Sequence, residues 1–174
     1  MFAALVTNKS GKYRGFDRDC ELYANAPMSA LGRISAEAGD AWEEYINLHG
    51  GGPIPCTEEA LAAMNRVVHL CEANRREFEI VLYTPDMGEA PGPDAAFLGF
   101  DVASSQFASL LSGGACCALP ERFSKMLNGC GLLDSLEQAE ALAEYANGLS
   151  AEAIEPDCPY VPIRVFLCAE RRGL

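Results

Sequence analysis

Between Thr57 and Tyr83 the spacing of the apolar side chains changes period. Leu61, Met64, Val68 and Cys71 recur at steps of three and four, which predicts a helix over 58–75 with one apolar face. Thr57 is placed to cap it, and Glu58 and Glu59 put negative charge in the first turn, where the helix dipole favours it. Phe78, Ile80 and Leu82 then alternate with Glu79, Val81 and Tyr83, which predicts a strand ended by Thr84, Pro85 and Asp86. A one-sided helix that runs straight into a strand must bury its stripe, and the sheet containing that strand is the nearest apolar surface. Helices packed on a sheet are therefore the frame into which the rest of the chain has to fit.

The remaining segments repeat the alternation of element types. Phe2–Thr7 is an opening strand. Residues 8–33 mix Gly, Arg, Asp and Pro27 and form an irregular segment, with a second short strand expected near Glu21–Tyr23. Ser35 caps a helix on which Trp42, Tyr45, Ile46 and His49 fall at helical spacing, and Gly50 to Pro53 ends it. Residues 85–95 are a Pro/Gly/acid segment, read as a long hairpin or a crossover connection before a strand at Ala96–Ala103. Pro120 is expected at the first position of a short helix reaching Leu127. Ser135 and Gln138 have capping-box spacing, and Leu136, Ala139, Ala143 and Ala146 line one face of the helix that follows, which Gly148 stops. Val161–Cys168 is the closing strand. Without a regular strand–helix–strand rhythm, the expectation is an α+β fold: a mixed or antiparallel sheet of four to five strands, helices packed against it, and a single domain over 1–174. A chain of this length buries about 70% of its unfolded surface, so no metal or disulfide is needed to hold it.

Charge narrows the partners. The net charge is −12. Residues 1–33 carry five basic and three acidic side chains, and the remainder carries eight basic and 22 acidic. An acidic body repels phosphate backbones and anionic membrane surfaces, so neither nucleic acid nor membrane is expected as a partner, while a basic protein is. Eight cysteines could suggest disulfides. However, the opening apolar run is too short for a signal peptide and lacks a basic leader, and Cys71 and Cys168 fall within apolar patterns. A reducing cytoplasm is the expected compartment.

Candidate chemistry is sparse. Cys116 and Cys117 follow Gly113 and Gly114 and precede the expected helix at Pro120, a position where a thiol pKa falls. A nucleophilic thiol needs a base, and only His49 and His69 are available. His49 ends a helix, and His69, between Val68 and Leu70, is expected to be partly buried or capped by a neighbour. There is no CxxC pair and no HxxxH pair, so no metal is expected. Glycines 50–52 lack the Lys and Ser/Thr of a phosphate loop, and Ser104, Ser105 and Ser112 lack a G-x-S-x-G elbow, so no cofactor is expected either. Adjacent glutamates such as Glu43 with Glu44 and Glu58 with Glu59 are explained as solvated or helix-capping charges.

One set of segments carries a resemblance: LGFDVAS at 98–104, LNGCGLL at 127–133, the Ala-rich helix bearing Glu137, Glu140 and Glu144, and PYVPIRV at 159–165. Over residues 97–167 this layout resembles small bacterial immunity-type proteins, acidic cytoplasmic α+β proteins that bind and neutralise toxins. The family has no catalytic residues to carry over, and its binding surfaces differ between members. The resemblance implies a non-enzymatic binding protein. No binding residue follows from the resemblance; the candidate contact residues are chosen for their charge and are Asp86, Glu89 and Asp94 on the connecting segment, and Glu137, Glu140 and Glu144, which share a helix face by their spacing. The alternatives are a thiol enzyme built on Cys116 or Cys117, and an adaptor subunit of a larger assembly.

Overall fold

The computed structural model describes residues 1–7, 36–49, 54–72, 78–88, 91, 95–104, 109–111, 119–149 and 159–168. In chain order the elements are β1 (Phe2–Thr7), α1 (Ala36–His49), β2 (Ile54–Pro55), α2 (Glu58–Glu72), β3 (Phe78–Thr84), β4 (Ala95–Ala103), α3 (Glu121–Ser124), α4 (Leu136–Asn147) and β5 (Val161–Cys168). The strands form one sheet in the order β2-β1-β3-β5-β4, and every neighbouring pair is antiparallel. The fold is α+β, and of the two sheet types expected, mixed or antiparallel, the sheet is antiparallel. β5 lies between β3 and β4, so those two strands run parallel with a strand's width between them. The segment 85–94 is thus a crossover and not a hairpin. The expected strand near Glu21–Tyr23 and the cap at Ser35 lie outside the described residues.

β3 is the centre of the sheet, and it is covered on both faces. Ile80 and Leu82 join Phe166 and Ala3 in a core with Trp42, Tyr45 and Ile46 of α1 and Ala60, Met64, Val67, Val68 and Cys71 of α2. Val81 and Tyr83 point the other way, into a core with Ile163, Val165, Leu132 and Leu133, and with Ala139, Leu142, Ala143 and Ala146 of α4. A strand sandwiched between helices buries both of its alternating sets of side chains. The two helical layers are offset. α2 contacts β1 and β3, whereas α4 contacts β4 and β5.

The helix ends follow their capping chemistry. The Thr57 hydroxyl accepts from Ala60 N–H at 3.1 Å, and the Ser135 hydroxyl accepts from Gln138 N–H at 3.3 Å. The return half of the capping box is displaced by one residue, because Gln138 Oε1 accepts from Asp134 N–H rather than from Ser135. The helix expected to reach Leu127 stops at Ser124. Pro120 is its N-cap rather than its first residue, and Leu127 is drawn into an antiparallel bridge with Leu133.

Both sheet edges are blunted, as exposed strand edges must be if they are not to recruit other chains. β2 has only two residues, one of them Pro55, which has no N–H to offer. The outer edge of β4 is covered by its own chain. Phe100 exchanges backbone bonds with Leu133 at 2.8 and 2.9 Å, and Val102 O accepts from Leu110 N–H at 2.9 Å. β4 reaches this cover through a register shift between Phe97 and Gly99. Gly99 adopts a φ of +144°, and a Cβ there would lie 2.8 Å from both Leu132 Cβ and Leu133 O. Only glycine allows that backbone and that approach.

Candidate functional site

The acidic face of α4 is built from its sequence spacing. At about 100° per residue, Glu137, Glu140 and Glu144 fall within about 60° of the helix circumference, and Ala139, Leu142, Ala143 and Ala146 centre on the opposite side. The second group is buried, which leaves the three carboxylates exposed. α4 contains no Lys, Arg or His. None of the three glutamates makes an ion pair among the described residues. The cations of α3 and its C-cap, Arg122 and Lys125, contact other groups. Lys125 Nζ sits 2.7 Å from Glu121 Oε1, and the Arg122 guanidinium lies over the rings of Phe123 and Tyr145 at 4.6 and 5.0 Å. Like charges three and four residues apart destabilise a helix by about 0.2–0.5 kcal/mol per pair. Glu144, in the last turn, also opposes the helix dipole. Only Glu137, in the first turn, is favoured by the dipole, so helix stability does not account for the three charges together.

The other candidate contacts are placed differently. Asp86 follows β3 and is exposed, but its carboxylate is partly used, since Oδ1 accepts from Gly88 N–H at 2.9 Å. The turn is clasped by Arg164 of β5, whose Nε donates to Asp86 O at 2.7 Å and Nη1 to Gly88 O at 2.9 Å. The Arg164 guanidinium lies over the ring of Phe166, which belongs to the α1–α2 core. Asp86 is thus tied to one face of the sheet while α4 packs on the other, and the structure does not bring the two groups together. Glu89 and Asp94 lie outside the described residues.

An acidic surface missed by the sequence reading lies on α1. Glu37, Asp40, Glu43 and Glu44 are all exposed, and the helix contains no Lys or Arg. That absence of cations was the signal available, and it is the same in α1 and α4.

The thiol alternative gains little from the described cysteines. Burial pushes the thiols of Cys56, Cys71 and Cys130 up, and Asp134 and Glu79 raise Cys130 further. A raised pKa leaves less thiolate at neutral pH and a poorer nucleophile. Cys116 and Cys117 lie outside the described residues, as does the side chain of His49. His69 is exposed rather than partly buried or capped. One residue beyond Val68 is about 100° around the helix, which carries it off the buried stripe. Among the described residues no group of three His, Cys, Asp or Glu is placed to hold a metal ion, and no helix is long and apolar enough to cross a membrane.

Two polar side chains within the 97–167 region are structural. Asn128 binds its own turn and β4 together: its Oδ1 accepts from Cys130 and Leu132 N–H at 2.9 and 3.1 Å, and its Nδ2 donates to Leu98 O and Asp134 Oδ1 at 2.9 Å. Asp101 is 1% exposed, and its Oδ1 accepts from Val102 N–H at 2.7 Å and from the Ser109 hydroxyl at 2.6 Å. A buried carboxylate is tolerated only when hydrogen-bonded in this way. The LGFD and LNGCGLL segments are therefore joined in space, with Asn128 as the connector. Comparison of the chain with models of known protein families, with curated proteins and with solved structures found no match.

Proposed function

We propose that the protein is a non-enzymatic acidic binding protein of the immunity type, which neutralises a bacterial toxin by direct association with a basic surface. The observation that carries this reading is the face of α4. Glu137, Glu140 and Glu144 lie together, exposed and without cationic partners among the described residues, on a helix whose opposite side is packed into the core. Carboxylates held on a rigid element suit a basic partner. Complementary charge speeds encounter, and close charge pairs across such interfaces couple by about 1.5 kcal/mol or more. The resemblance over residues 97–167 points to the same class, and a cytoplasmic location goes with it.

The test is affinity capture of the tagged protein from lysates of its source cell and of neighbouring cells, at low and then high salt. A single stoichiometric basic partner released as salt rises supports the reading, because screening shortens the reach of exposed charges from about 10 Å at 0.1 M to about 3 Å at 1 M. The triple variant Glu137→Gln, Glu140→Gln, Glu144→Gln should fold normally and lose at least about tenfold in affinity for that partner. Unchanged affinity in the triple variant would exclude α4 as the contact face.

A further inference from the structure

We draw no further inference here: the strongest candidate, the aromatic patch that the exposed Phe97 forms with Phe100 and Phe166 on the β4–β5 half of the sheet, is an apolar face for which nothing in the structure shows what covers it.

Discussion

Replacing Gly99 with alanine should destabilise the protein. Two separate terms contribute. At φ +144° a residue with a Cβ is strained by about 1–3 kcal/mol. The new methyl would also lie 2.8 Å from Leu132 Cβ and Leu133 O, and each must retreat by roughly 0.7 Å to reach ordinary contact at about 3.5 Å. Leu133 cannot retreat freely, because its N–H and C=O are both bonded to Phe100. Losing those two bonds adds about 0.5–1.5 kcal/mol each. Together the change should remove about 2–6 kcal/mol, out of the roughly 5–15 kcal/mol that holds a domain folded. The assay is urea unfolding followed by circular dichroism, where the midpoint should fall at nearly constant slope. Thermal unfolding should drop by at least roughly 5 °C. Gly129→Ala is the control. It lies in the neighbouring turn, has no positive φ, and meets nothing within 4 Å, so it should shift stability by under about 1 kcal/mol. If Gly99→Ala unfolds at the parent's midpoint, or if Gly129→Ala loses as much, the account of the β4 bulge is wrong.

Other perturbations test other joints. Asn128→Ala removes four hydrogen bonds, three within the turn and its flank and one to Leu98 of β4, and should lose about 2–4 kcal/mol, with faster amide exchange at Cys130 and Leu132; protection unchanged at both sites would refute this structural role. Leu142→Ala opens a cavity between α4 and the sheet and should lose about 2–5 kcal/mol in denaturant titration, whereas Ala141→Ser on the exposed side should stay within about 0.5 kcal/mol. Cys56, Cys71, Cys130 and Tyr45 all have pKa values raised in the folded state, so the protonated forms are the ones the fold favours. That stability is fully present below the unfolded thiol value of about 8.5 and is lost as pH rises through the folded values, so the unfolding free energy should decline as pH rises above about 8.5; a flat profile there would contradict the burial of these groups.

The parts of the structure legible in the sequence are those in which local pattern and burial coincide. The strand bounds Phe2–Thr7 and Val161–Cys168 follow from their apolar runs, and the stripe of α2 follows from periodicity because the side chains that repeat are the ones that pack. The exposure of Glu137, Glu140 and Glu144 follows from the same geometry. Strand order does not. Periodicity reports how a strand's faces are covered, not which strand lies beside it, so nothing in Ala95–Ala103 shows that β5 separates it from β3. β2 is too short to show any period. The helix at Pro120 ends at Ser124, short of Leu127, because Leu127 is held in a bridge with Leu133, a tertiary contact. Asn128 and Asp101 illustrate the same limit. Asn128 donates to Leu98, 30 residues away, and Asp101 binds Ser109 across a turn, so their roles depend on contacts that no local window contains.

The two acidic helices make the binding proposal sharper than net charge alone would. α1 and α4 pack against opposite faces of the sheet, and both carry only carboxylates as charged side chains apart from His49 at the end of α1. A partner drawn merely by a charge of −12 would feel either helix, and losing three charges from one would cost it about as much as losing three from the other. A partner docked on α4 would not behave that way. Neutralising Glu37, Glu43 and Glu44 to glutamine would slow its approach slightly and leave its dissociation unchanged, while neutralising Glu137, Glu140 and Glu144 would remove close pairs and speed dissociation. Equal effects of the two triple variants, confined to the association rate, would reduce the acidic surface to long-range steering. A dissociation effect from α1 alone would move the contact face to the other side of the sheet.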